Sequence, residues 1–329
     1  MTTKQALLAF ALIGTNIGVA AEKPEGQITF KVADEKGKPL GGVPVRVDTV
    51  DWVKPGEGFG QSIYKQTTIV TDEHGLAQLK TASQNPEFSY RIWDLTGYYR
   101  KGGVYAFKSA AGNRWQPWNP TVKLILDRIV NPSPMYAYSV ETRIKKPNQK
   151  FSFDLKVGDW VAPEGKGQTA DVFFEVVGHA RSPKDYDSIL TVSFTNLLDG
   201  IQEFVLQPPQ KGSDLRSPRE TPVEGYQNNL SFRRARKPDQ LSSDWIDETK
   251  DGKNYFFRVR TVLDQNGGIK SALYGKIYGG FKFGGAVENG YLEIPNCYLN
   301  PDPNSRSMEF DPKRNLFKDS KGKGDISAP

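Results

Sequence analysis

The sequence predicts an all-β chain folded as two tandem β-sandwich domains, and three observations carry that expectation. Short segments rich in β-branched and aromatic residues recur along the chain with the period of two that marks a half-buried strand. Turn clusters separate them, in a chain with 32 glycines and 22 prolines among 329 residues. No stretch beyond residue 21 keeps the 3.6-residue apolar period of an amphipathic helix. At about 150 residues per domain, the length allows two cores.

The N-terminus reads as an export signal over residues 1–21. Lys4 supplies a positive charge, residues 6–20 (ALLAFALIGTNIGVA) form an apolar run, and Val19, Ala20 and Ala21 give the small residues of a cleavage site. The run falls short of the about 20 apolar residues of a bilayer span and is broken by Gly14, Thr15 and Asn16. No transmembrane segment is expected after cleavage, so the expected location is secreted, periplasmic or at the cell surface. Cys297 is the single cysteine, which rules out an intrachain disulfide and reads as a small buried hydrophobe. The net charge of +6 falls by one when Lys4 leaves. A mildly basic exported protein suits acidic polysaccharides or anionic cell-wall polymers. Nucleic acid is not expected as a partner, because the compartment is wrong.

The first domain is expected over residues 22–141. Residues 27–32 alternate, with Ile28, Phe30 and Val32 on one face, and Asp34 to Pro39 form a turn. Residues 43–47 and 63–70 alternate again, and Thr71 to Gly75 make the next tight turn before residues 76–79. Residues 88–93 and 122–129 complete the set. The phrase GQITFKVADEKGKPLGGVPVRV, followed by Thr71-Asp72-Glu73-His74-Gly75 and a strand that ends near Gly97-Tyr98, resembles the carboxypeptidase regulatory-like family over residues 26–100. The resemblance implies an immunoglobulin-like, transthyretin-like sandwich. It also implies an accessory module of secreted or surface bacterial proteins that is not itself a peptidase. Two stretches depart from it: a glycine-rich connection at 48–62 and an aromatic insertion at 98–120.

The second domain, expected over 142–317, resembles no family by its motifs. Residues 150–157 alternate strictly, and strands follow at 171–177, 189–194 and 201–206. Residues 207–225 are a proline-rich loop long enough to be functional or mobile. Residues 255–263 and 269–278 flank a glycine-containing turn and read as a hairpin. An extended segment over 298–317 is pinned by Leu299, Met308, Phe310, Leu316 and Phe317. The tail at 318–329 is polar and expected to be disordered.

No motif points to catalysis, so no catalytic residue is assigned, and no metal ligands or cofactor are expected. Two histidines, His74 and His179, cannot build a multi-histidine zinc site, and no H-E-x-x-H, C-x-x-C or G-x-S-x-G occurs. Gly56, Gly58 and Gly60 surround Glu57, a poor phosphate loop. Asp94, Asp171, Glu175 and Glu203 are carboxylates of the kind glycosidases use, with nothing to choose among them. Asp264 and Asp302 offer oxygens to calcium, and turn chemistry accounts for both.

The suggestive feature is the aromatic insertion. Trp115 and Trp118, with Tyr98, Tyr99 and Arg114, carry the rings and polar tips that stack on and hydrogen-bond a sugar. Packing at the sandwich edge or between the domains is the competing reading. The expected function is a non-enzymatic binding or structural protein of the cell envelope, with a polysaccharide or cell-wall polymer as partner. An extracellular polysaccharide-acting enzyme using carboxylates is one alternative. The other is a surface assembly or adhesion subunit that binds another envelope protein by strand-edge pairing.

Overall fold

Alternation along the first strand puts Ile28, Phe30 and Val32 wholly out of solvent, as the period-two pattern requires. The computed structural model describes residues 23–52, 62–144, 147–206, 211–239, 241–249, 253–286, 290–317 and 326. The export signal, the 53–61 stretch and the tail apart from Ile326 lie outside the described residues. Among those described, the only helical turns are two 3-10 turns of three residues, Ser242–Asp244 and Pro312–Arg314.

The first nine strands are β1 (Glu25–Asp34), β2 (Pro44–Trp52), β3 (Ser62–Val70), β4 (Leu76–Ala82), β5 (Glu87–Ile92), β6 (Lys101–Ala106), β7 (Ser109–Ala111), β8 (Arg114–Gln116) and β9 (Thr121–Leu126). One sheet runs β4-β1-β8-β7, with β9 parallel to β1 from Thr29↔Thr121 to Asp34↔Leu126. The other runs β3-β2-β5-β6. Their facing sides bury Ile28, Phe30, Val32, Val45, Val47, Leu79, Phe88, Ile92, Leu124 and Leu126 in one core. Each such side chain contributes about 1.5–3 kcal/mol by leaving water. The predicted turns close through their own aspartates: Asp34 Oδ1 accepts from Lys36 N and Lys38 N, and Asp72 Oδ1 from His74 N and Leu76 N.

The second sandwich begins with β10 (Tyr136–Ile144), β11 (Lys150–Asp154), β12 (Asp159–Trp160), β13 (Val172–Ser182), β14 (Asp185–Ser193), β15 (Gly200–Phe204) and β16 (Asn229–Arg236). It ends with β17 (Ile246–Asp247), β18 (Asn254–Leu263), β19 (Ile269–Tyr278), β20 (Lys282–Phe283) and β21 (Gly290–Leu299). Its sheets run β12-β11-β13-β14-β16-β17 and β10-β21-β19-β18-β15. The expected hairpin is present as β18 and β19, closed by Asp264 Oδ1 on Asn266 N and Gly268 N. Between the sheets lie Phe153, Trp160, Phe174, Val176, Leu190, Phe232, Tyr255, Phe257, Phe281 and Leu292.

The sequence division at 141/142 cuts through β10. That strand pairs with β21 from Tyr136↔Leu299 to Ile144↔Gly290, so it belongs to the second sandwich and the change of sheet falls between Leu126 and Tyr136. Alternation reports which face of a strand is buried and is silent on which sheet it joins. The outer face of the β10–β21–β19–β18 sheet is itself covered. Met135, Tyr274, Tyr298, Met308, Phe310 and Ile326 form a third buried cluster there.

The proline-rich loop is the strap between the sandwiches over its described residues. Gly102 N of β6 donates to Gly212 O at 2.8 Å, Asp214 N donates to Arg100 O at 3.0 Å, and Lys101 bridges Ser213. Gly212 has φ +78° and a Cβ there would sit 1.9 Å from Gly102 O, so only glycine lets the strap approach. Leu215 and Ser217 of this strap are buried.

Candidate functional site

Among the described residues strand β3 is a long free edge. It pairs with β2 over nine residues, Pro44↔Val70 to Trp52↔Ser62, and ends its sheet. In an antiparallel pair, successive residues turn their N–H and C=O alternately toward and away from the partner. Thr71 N donates to Val43 O, which sets residues 43 and 71 facing each other. Asn85 N donates to Val50 O, so residue 50 faces β5 and not β3. The alternation therefore turns the backbone groups of Tyr64, Gln66 and Thr68 outward, away from β2. Its apolar side chains are open too: Tyr64 is 73% exposed, Val70 59% and Ile63 56%. Lys65 does not stand out into this edge, because its Nζ donates to Thr81 Oγ1 of β4 at 3.0 Å.

Among the described residues several other edges are short or occupied. The β6 edge carries the strap, and β7, β12 and β17 have two or three residues. β10 is capped where Asn315 Oδ1 accepts from Ala137 N and Asn315 Nδ2 donates to Ala137 O. β15 exchanges both backbone bonds of Ile201 with Gln227. β4 lies beside β3 and is open, but it is shorter, and Lys80 on it pairs with Glu25 at 3.0 Å.

The five aromatic and basic residues of the insertion are divided among different tasks. Trp115 is half-buried against the first core, and its Nε1 donates to Ser83 O at 2.9 Å. Trp118 is half-buried, and the exposed Arg114 holds its guanidinium 4.7 Å over that ring. Tyr98 packs on the same core with Arg128 5.2 Å over its ring. Tyr99 is buried and donates its hydroxyl to Glu309 at 2.8 Å, which leaves it no face for a sugar. Another exposed ring, Trp93, was not singled out by sequence, and Arg91 sits 4.5 Å over it.

A buried polar cluster at the junction of the sandwiches escaped the sequence reading altogether. Glu309, 2% exposed, accepts from Tyr99 Oη, Arg219 Nη1, Val130 N and Asn131 N at 2.8–2.9 Å. Arg219 also pairs with Glu35 of the first sandwich. Burial works against the Arg219 charge, yet Glu35 and Glu309 hold its pKa above the ordinary value. Burial and then Glu309 push the Tyr99 hydroxyl well above its usual range.

Lys276 lies fully buried next to this cluster, with Nζ donating to Ser217 Oγ at 2.9 Å and Met308 O at 2.8 Å. Burial lowers its pKa from 10.5 to about 7, against the opposing pull of Glu309. Between pH 7 and 10.5 the unfolded chain keeps this proton and the folded one releases it, so stability rises with pH there. The Lys276→Met variant is expected to lose that rise, which is at most about 1.4 kcal/mol per pH unit, in urea unfolding at pH 7 and pH 9.

Several of the other nominated groups are engaged in structure. Asp171 gives both oxygens to Arg260 at 2.8 Å, and Glu203 pairs with Lys253 at 3.3 Å. Asp302 Oδ1 accepts from Asn304 N within its own turn. Burial pushes the Cys297 thiol up to about 12, so the thiolate form is suppressed. His74 stands exposed in its turn, and His179 Nε2 lies 4.0 Å from Asp185. Among the described residues no helix is long and apolar enough to cross a membrane.

Comparison with known proteins adds little. No family model matches the chain, and no curated protein does. Among solved structures, a variant of the shaft pilin SpaA of Lactobacillus rhamnosus GG is similar to 73% of this chain and 89% of its own, at 11% identity and a TM-score of 0.21. A likeness at that score carries no argument about function.

Proposed function

We propose that this chain is an exported, non-catalytic surface subunit that associates with a second copy of itself through the free edge of β3. The open backbone of Tyr64, Gln66 and Thr68 carries the reading, because unpaired strand edges accept another strand unless blocked. Among the described residues β4, β9 and the part of β10 beyond Ala137 also end their sheets, and the exposed Ile63, Tyr64 and Val70 distinguish β3 from them. The molecule also already uses edge addition internally, where the strap docks on β6.

The sequence of β3 is self-complementary about Gln66. An antiparallel copy sets Tyr64 opposite Thr68, Ser62 opposite Val70 and Ile63 opposite Ile69. These are aromatic and β-branched pairs of the stabilising kind, and Lys65 falls opposite Thr67, so no like charges meet directly. Such a contact is isologous and closes as a twofold dimer.

Proline substitutions separate the two sides of the strand. Thr68→Pro removes an outward donor and no bond to β2, so stability is expected to stay within about 0.5 kcal/mol. Thr67→Pro removes the inward donor to β2 and is expected to cost about 1–3 kcal/mol for the carbonyl left unpaired. In sedimentation velocity at high micromolar concentration, the parent is expected as a dimer and folded Thr68→Pro as a monomer. A parent that stays monomeric, or a Thr68→Pro protein that still dimerises, overturns the reading.

A further inference from the structure

A groove of about 450 Å³ opens at the end of the second sandwich, where the β13–β14 hairpin meets β16 and the β20–β21 hairpin. That volume lies within the about 300–1,000 Å³ of small-molecule sites. The glycines make the space. A Cβ on Gly284 would sit 2.7 Å from the Tyr291 ring, and Gly285 has φ +104° with Ala180 Cβ 3.1 Å from where its own would be. Ser188 fixes this floor, donating to His179 O and accepting from Ala286 N, each at 3.0 Å.

The walls are cationic and aromatic. Arg181, Arg234, Tyr186 and Tyr291 line the groove, and no carboxylate is among the described lining residues. Arg234 is held in place by its own bonds: Nε donates to Asp247 Oδ2 at 3.2 Å and Nη1 to Phe283 O. Its guanidinium lies 5.9 Å from the Tyr186 ring centre. The Arg181 side chain is 75% exposed and among the described residues pairs with Asp185 through Nη1 at 3.5 Å, which leaves its Nε and Nη2 to a ligand.

We infer that this groove binds a carboxylate-bearing sugar. A guanidinium fork matches a carboxylate in two parallel hydrogen bonds, which a lysine cannot reproduce. Tyrosine rings offer an apolar face to the C–H side of a sugar and a hydroxyl to its oxygens. Fixed Arg234 and the more exposed Arg181 then divide the work: one sets the register of the acid group, the other closes on it. The inference does not depend on the β3 edge, which lies on the other sandwich.

The test is isothermal titration of the full chain with digalacturonate, with maltose as the neutral disaccharide and inorganic phosphate as the plain anion. Digalacturonate is expected to bind, more weakly as salt rises, and neither control is expected to compete. Arg181→Ala is expected to weaken binding at least tenfold with an unchanged melting temperature, and Arg181→Lys to recover only part of it. Tyr186→Phe and Tyr291→Phe keep the rings and test the hydroxyls alone, with a few-fold loss expected for each. No binding of digalacturonate at millimolar concentration, equal binding of maltose or phosphate, or an Arg181→Ala protein that binds like the parent overturns the inference.

Discussion

Glu309→Ala is expected to be among the most destabilising single substitutions in the chain, by about 3–5 kcal/mol, and to loosen the two sandwiches from each other. The carboxylate is buried and takes four donors from three separate places: Tyr99 in the first sandwich, Val130 and Asn131 in the connection, and Arg219 in the strap. Removing it leaves a buried tyrosine hydroxyl, two backbone N–H groups and part of a guanidinium without their acceptor. Breaking a buried charged network from one side costs that much because the remaining charge stays desolvated. Glu309→Gln keeps one acceptor oxygen and should lose about 1–3 kcal/mol. Thermal unfolding followed by near-ultraviolet circular dichroism checks both. Limited proteolysis checks the loosening, since cleavage between residues 127 and 135 should speed up in Glu309→Ala. A Glu309→Ala protein that melts like the parent would mean that solvent, not Glu309, satisfies these donors.

Arg260→Met is the second large effect, and it falls wholly within the second sandwich. Arg260 binds Asp171 bidentately at 2.8 Å and Asp154 at 3.0 Å, from a backbone with φ +55°. Asp199 holds that unusual backbone, accepting from Arg260 N at 2.9 Å and Thr261 N at 3.0 Å. Burial pushes the Asp171 carboxyl above its ordinary range even with Arg260 opposing it. Asp154 goes the other way. Its burial is outweighed by backbone donors from Val157, Gln168 and Thr169 and by Arg260.

Methionine leaves Asp171 ionised and buried without its cation, at a cost of about 3–5 kcal/mol near neutral pH. An uncompensated acid has a folded pKa raised above its unfolded value, so the cost is full above that pKa and fades as the pH falls through it. Urea unfolding of parent and variant at pH 7 and pH 4 should show the deficit shrinking at the lower pH. A deficit that grows on acidification contradicts the assignment of Arg260 as the counter-charge of Asp171.

The strands legible in the sequence were those whose own residues carry the signal. Ile28, Phe30 and Val32 alternate, and the all-β architecture of two sandwiches follows from many such segments. The turns after Asp34 and Asp72 were legible because one side chain and its next few backbone groups make the whole bond set. The partner of β10 was not, since alternation is a property of one strand and pairing a property of two. The strap was missed for a related reason: Gly212 reads as an ordinary loop glycine until Gly102, far away in sequence, is placed against it.

Site residues were harder. Trp115, Trp118, Tyr98, Tyr99 and Arg114 cluster in sequence, but a run of aromatics does not say which rings face inward, and Tyr99 goes to the junction of the sandwiches. Arg181, Tyr186, Arg234 and Tyr291 come from four strands, each unremarkable by itself, and only the order of one sheet and its packing on the other bring them together. The β3 edge was not legible: the sequence shows residues 63–70 only as an alternating strand, and the exposure of Ile63, Tyr64 and Val70 and its terminal place in the sheet come from the structure.

The central claim is that β3 is an association edge, and residue-resolved hydrogen exchange at low and high protein concentration tests it most directly. The amides of Tyr64, Gln66 and Thr68 point away from β2 and should exchange fast in dilute protein. On association they become hydrogen-bonded, so their exchange should slow as the concentration rises, while the inward amides of Lys65 and Thr67 stay slow throughout. Outward amides that exchange fast at every concentration would contradict the claim, as would protection that appears on β4 instead.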